Sequence, residues 1–148
     1  DFHFYCIHRL IHTPVLYKWV HYVHHKSVNP SPWSSLSMHP VEHLLYFSTV
    51  FWHFIIPSNP VIALYQLHFA GFGAVPGHVG FDKVEVIGET AFDTHAYMHY
   101  LHHKHFNVNY GGDGLVPFDI VFGTYHDGSK QANKQTNPIA GTKIKSDS

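Results

Sequence analysis

A single cysteine, Cys6, in 148 residues excludes an internal disulfide framework and any CxxC zinc knuckle. Charge is nearly as scarce: Asp, Glu, Lys and Arg make up 13% of the chain, about half the ~25% usual in soluble globular domains. A net charge of -1 offers no basic footprint for a phosphate backbone, so nucleic acid is excluded as a partner. There is no G-x-S-x-G, no G-x-x-x-x-G-K and no G-x-G-x-x-G, which removes the common hydrolase, P-loop and built-in nicotinamide readings. No repeat of fixed period occurs, and no apolar run reaches the ~20 residues that cross a bilayer. No signal peptide opens the chain; it starts at Asp1-Phe2-His3 without Met, inside an apolar helical pattern, which points to a preceding segment outside it.

Histidine is in excess, at 17 residues, alongside 12 Phe, 9 Tyr and 3 Trp. A hydrophobic share of 45% is enough to build a core. A surface poor in charge but rich in aromatic rings suits contact with lipid or with other protein. Periodicity predicts helices over 2–12, ended by Thr13-Pro14, and over 15–26. Residues 27–37 form a loop containing Pro30 and Pro32, with Ser37 placed to cap a helix starting near Pro40. The apolar stretches 41–56 and 61–75, joined by the turn Pro57-Ser58-Asn59-Pro60, read as a helical hairpin dipping into a membrane. Residues 77–94 carry most of the acidic charge without a clean period and read as a surface connection. A further helix is expected over 94–105. Residues 1–128 form one domain and 129–148 a polar, disordered tail.

Three histidine clusters stand out: His8/His12, His21/His24/His25 and His99/His102/His103. On a helix, residues i, i+3 and i+4 share a face, so each cluster is expected to aim its imidazoles at a common point. Neutral imidazole ligates iron, copper, nickel and zinc, and eight rings exceed the three or four that one zinc takes, so two metals are expected. Packing alone gives no reason to crowd ionisable rings that repel once protonated and are costly to bury unpartnered. For the isolated His3, His53 and His126, ordinary packing roles are expected.

The order H-x3-H, then H-x2-H-H, then a last H-x2-H-H resembles the fatty acid hydroxylase / sterol desaturase superfamily. FYCIHRLIH at the start, HHK after the second box, MHPVEH from Met38, and NYG followed by PFDIVFGTY extend the likeness over residues 2–126. His78-Val79-Gly80-Phe81-Asp82 matches a further stretch whose histidine is a candidate ligand. The resemblance implies an all-α, membrane-associated domain whose His-box helices form a di-metal site facing the cytoplasm, with the family's upstream transmembrane helices outside this chain. It implies two iron ions and O2, zinc being a substituting metal, and no catalytic side chain beyond the metal centre. The implied ligands are His8, His12, His21, His24, His25, His78, His99, His102 and His103. Further candidates, as ligands or partners of ligands, are His95, one helical turn before His99, His68, which a reversal in the glycine-rich segment 71–77 would bring to the metals, His39, and Glu42 and Asp82, because carboxylates beside imidazoles fix their tautomers.

The implied reaction is O2-dependent hydroxylation or desaturation of an unactivated C–H bond in a fatty acyl or sterol-like lipid drawn from the membrane. Two alternatives stand beside it: a carotenoid hydroxylase of the same chemistry, and a metal-binding fragment without turnover. Electrons would come from an external cytochrome b5, ferredoxin or reductase. Arg9, Lys18, Lys26 and Lys104 either supply docking charge for that donor or mark the cytoplasmic side.

Overall fold

Proline and capping residues set the helix boundaries in the computed structural model, which describes residues 1–81, 83–86, 90–93, 96–111 and 116–129. Helix α1 (Phe2–Ile11) stops where Thr13, restricted by the following proline, turns extended at φ -63, ψ 147. Pro14 opens α2 (Pro14–Leu16), which runs through a π-helical stretch, Tyr17–His21, into α3 (Tyr22–His25). Pro40 opens α4 (Pro40–Phe47) near the expected position. Its cap is His39, whose Nδ1 accepts from the Val41 amide at 3.2 Å, rather than Ser37. A 3₁₀ turn, Ser48–Phe51, leads to α5 (Trp52–Ile55), and Asn59 caps α6 (Pro60–Gly77) through the Val61 amide at 2.9 Å. Helices α7 (Ala96–His105) and α8 (Phe118–Val121) follow.

The helical class stands, with one addition. The stretch expected to be irregular holds an antiparallel hairpin, β1 (Lys83–Val86) with β2 (Thr90–Asp93), in register Lys83↔Asp93 to Val86↔Thr90. His95, Asp82 and the tail residues 130–148 lie outside the described residues. α1 packs against α4, and α6 against α7 and a 3₁₀ turn at Pro32–Ser34.

The core is unusual in composition. Among the described residues, buried histidines outnumber buried hydrophobic side chains, which are led by Tyr5, Ile11, Leu101, Val108 and Tyr110. The apolar helices α5 and α6 instead face outward: Phe54 is 84%, Ile55 71%, Phe69 66% and Phe72 72% exposed. Among the described residues no helix is long and apolar enough to cross a membrane.

The segment after α7 is tied down by buried Asn109, which sits at φ 52, a conformation asparagine tolerates. Its Oδ1 accepts from the His126 amide at 2.8 Å and its Nδ2 donates to the His126 carbonyl at 2.9 Å. Asn109→Ala strands both backbone groups and strains the turn. It is expected to cost on the order of 2–4 kcal/mol, read as a lower urea midpoint at unchanged slope.

Candidate metal centre

Nine imidazoles gather into two groups. His8, His12, His21, His25 and His102 form one, and His24, His78, His99 and His103 the other; within each, one ring nitrogen per residue lies within 4.8 Å of the others. The boxes do not each serve one point, as spacing alone suggests. In both H-x-x-H-H boxes the i, i+4 pair enters one group and the intervening i+3 residue enters the other. His21 and His25 join the first group and His24 the second; His99 and His103 join the second and His102 the first. α1 supplies the His8/His12 pair, and His78, at the C-terminal end of α6, completes the second group. Each helix that carries a full box therefore stitches the two groups together.

Hydrogen bonds fix how these rings face. Nδ1 of His8 donates to the Tyr110 carbonyl at 2.7 Å, of His24 to Ser37 at 3.3 Å, of His78 to Ala74 at 2.6 Å and of His102 to Val108 at 2.6 Å. A neutral ring that donates from Nδ1 has a bare lone pair on Nε2. His24 and His78 are both held this way, yet their Nε2 atoms stand 3.3 Å apart. Two lone pairs at that distance make no hydrogen bond; they repel unless a cation lies between them. The same closeness recurs at Nε2 of His21 and His25 (2.9 Å), His12 and His102 (3.0 Å), and His78 and His99 (3.1 Å). Nitrogens about 2.0–2.1 Å from one ion, at angles between 90° and tetrahedral, stand roughly 2.9–3.4 Å apart. The donor set fits metal ions.

Protons are poor substitutes for that cation here. Burial, opposed only in part by the Tyr110 carbonyl, lowers His8 to about 4, and burial with neighbouring imidazoles lowers His24 to about 3 and His12 and His103 to about 2. His99 and His102 fall well below the ordinary value for the same reasons. Glu42 on α4 reaches His21 Nδ1 at 2.7 Å, and burial pushes its carboxyl up to about 8. It is the carboxylate partner of a ligand that the sequence leads one to expect.

Other histidines lie elsewhere. His68 is exposed and bonds the Leu64 carbonyl of its own helix at 2.7 Å, so the glycine-rich segment after it does not fold it back onto the site. His39 caps α4, and His43 stacks on Phe47. His105 stacks on His126, ring centroids 4.8 Å apart. His3 bonds Ser48 and Trp52.

Spacing did not single out two supporting residues. Tyr110 packs its ring on His8, His12 and His102, at 4.9 to 5.7 Å, while its carbonyl holds His8. Asp119 holds Tyr110 in turn: its carboxylate accepts from the Tyr110 amide (2.8 Å), the Gly111 amide (2.7 Å) and the Thr124 hydroxyl (2.6 Å). Gly111 leaves room for this, since a Cβ there would come within 2.7 Å of the carboxylate. The available signal was the NYG and PFDIVFGTY likeness, which carries no hint of which atoms meet.

Both groups border one cavity of about 440 Å³, lined by His8 and His21 of the first, His24, His78 and His99 of the second, and apolar residues including Ile7 and Phe69.

This architecture defines a helical protein with paired imidazole clusters opening on an apolar cavity. The sequence profile of the fatty acid hydroxylase family matches residues 1–124, and the chain belongs to that family. It is 34% identical over 114 residues to a Delta(7)-sterol 5(6)-desaturase of Aspergillus fumigatus, covering 75% of this chain and 31% of the relative. It is 32% identical over 128 residues to one of Gibberella zeae (84% and 35%), and 33% identical over 112 residues to one of Candida albicans (72% and 27%). The chain thus spans about a third of the length of the curated relatives it matches. No solved structure matches it.

Two outcomes follow from this geometry. The nine histidines have lower pKa values folded than unfolded, so the unfolded chain takes up protons first as pH falls through 6.5. Each then removes up to about 1.4 kcal/mol of stability per pH unit. Glu42, raised from 4.5 to about 8, has the opposite sign but is one group against nine. The thermal midpoint, followed by circular dichroism, is expected to drop steeply between about pH 7 and pH 5. Asp119→Ala frees the Tyr110 carbonyl to drift and is expected to weaken metal binding about 10- to 100-fold, measured by competition with a chelator.

Proposed function

We propose that the chain carries the metal site of an O2-dependent oxidoreductase that hydroxylates or desaturates a C–H bond of a lipid. One observation carries this: two imidazole groups open together onto a single, largely apolar cavity. A storage site has no use for such a cavity, whereas an enzyme acting on hydrocarbon does. In this reading His8, His12, His21, His25 and His102 hold one iron ion and His24, His78, His99 and His103 the other. Irons held there supply O2 activation and cleavage of an unactivated C–H bond. Zinc would satisfy the same nitrogens without redox chemistry.

The chain's own residues do the rest. Carbonyls at Tyr110, Ser37, Ala74 and Val108 keep the Nδ1 protons in place, and Glu42 does so for His21. Ile7, Ala70 and Ala74 give the cavity apolar walls against which a hydrocarbon substrate packs. Electrons come from a separate donor; exposed Lys18, Lys26, Arg9 and Lys104 offer it charge to dock on. The exposed apolar side chains of α5 and α6 rest in a membrane, which delivers the lipid, with the metal side facing the cytoplasm. The names of the three sterol desaturases support a sterol-like substrate.

The test is metal content per chain together with a product scan of host lipids under O2. Near two irons and an oxidised lipid are expected; one zinc or none, with no product, overturns the reading. His102→Ala should lose metal and turnover together, whereas His68→Ala should keep both ions. The Cβ position of Gly73, which lines the cavity, meets nothing within 4 Å. Gly73→Phe is therefore expected to block turnover while metal content stays at the unmodified level.

A further inference from the structure

The cavity has a polar end that the proposed chemistry does not use. Gln66 lies about three turns, roughly 16 Å of helix, before Gly77 on α6, so it stands well away from His78. Across the lining from it is Thr49, in the 3₁₀ turn after α4. Gln66 Nε2 donates to Thr49 Oγ1 at 2.8 Å, which leaves Gln66 Oε1 to accept from His53 Nε2. His53 Nδ1 then accepts from the Ser58 hydroxyl. The bonds run one way, from Ser58 through His53 and Gln66 to Thr49, each polarising the next.

That chain ends at the cavity wall with two donors to spare. The Thr49 hydroxyl hydrogen and the second amide hydrogen of Gln66 have no acceptor among the described residues. Among the other polar side chains of the lining away from the imidazoles, Tyr46 donates to the Ala70 carbonyl (2.8 Å), Ser35 to Pro32 (2.8 Å), and His3 is shared by Ser48 and Trp52; Asp1 adds a carboxylate, which disfavours a second anion in the cavity. No Lys or Arg lies among the described lining residues. Two donors without a cation suit a neutral oxygen; a carboxylate or phosphate would be desolvated there without a counter-charge.

We infer that Thr49 and Gln66 form a receiving site for a hydroxyl oxygen at one end of an otherwise apolar substrate, with His53 as the residue that positions Gln66. The separation of this end from the imidazoles then sets which carbon reaches them. The inference rests on the proposed lipid oxidation for what happens at the imidazole end, but the binding step is separable from it.

Equilibrium binding of tritiated probes to the chain in lipid nanodiscs tests it, with cholestanol against cholestane and octadecanol against octadecane. For at least one pair the alcohol is expected to bind on the order of tenfold tighter than the hydrocarbon, and the pair that shows it tells a ring system from a straight chain. Thr49→Val and Gln66→Met, which keep shape and lose the donors, should each bring that ratio close to one. Hydrocarbon affinity and metal content should stay unchanged in both. Equal binding of alcohol and hydrocarbon by the unmodified chain overturns the inference, as does octadecanoate binding more tightly than octadecanol; neither result depends on a variant folding. Discrimination without any lipid oxidation would leave this site standing and remove the proposed reaction. Oxidation without discrimination would do the reverse.

Discussion

Bare imidazole nitrogens brought within about 3 Å of one another, away from water, are the constraint on which the rest of this structure depends. Where both rings give their Nδ1 proton to a carbonyl, as His24 and His78 do, such a contact is repulsive in the neutral state, and burial makes protonation a costly escape. A chain that holds nine rings this way must spend its scaffold on opposing their separation. It does so with carbonyl acceptors behind the rings and with two helical segments, residues 21–25 and α7, that each feed both groups. The division of each H-x-x-H-H box, an i, i+4 pair to one group and the i+3 ring to the other, means neither group can relax without turning a helix the other also needs.

The support reaches further out than the ligands. His8 and His102 take their orientation from the carbonyls of Tyr110 and Val108, which belong to an irregular segment with no ladder of its own. Asp119 and Asn109 replace that ladder, binding the segment to α8 and to residues 124–126. A buried carboxylate is costly unless its lone pairs are met; Asp119 meets its own with two amides and a hydroxyl, and so holds a turn in place two bonds away from an imidazole.

Much of this was legible in the sequence, and the limit is physical. Histidine spacing marks which helix face carries ligands, because periodicity fixes direction around an axis. It does not say how three helices are rotated against one another, so the division of both H-x-x-H-H boxes between the two groups stayed hidden. Carbonyl acceptors have no side-chain signature at all, which is why Tyr110 and Val108 could not be found as partners of His8 and His102. Glu42 was within reach because a carboxylate near imidazoles has an obvious use. His68 misled because glycines permit a reversal without causing one: α6 runs through Gly71 and Gly73 unbroken. Residues 83–93 read as irregular because two four-residue strands are too short for alternation to declare itself.

The outward-facing side of the molecule follows from the same constraint. With the interior given to imidazoles, the apolar residues of α5 and α6 are left on the surface, where exposed Phe54, Phe69 and Phe72 are unfavourable in water. In the membrane setting proposed above, a lipid phase removes that cost and at the same time supplies molecules to the cavity that α6 helps wall. Gln66 on α6, His53 on α5 and Thr49 in the turn before α5 are then polar groups in largely apolar surroundings, costly there unless bonded to one another. They are so bonded, and the chain they form runs from exposed Ser58 to the cavity wall. Under the proposed reading, an apolar face on α5 and α6, a cavity bordered by imidazoles and by a neutral donor pair, and a core of crowded ring nitrogens that metal ions relieve fit together for a substrate that is itself almost wholly hydrocarbon.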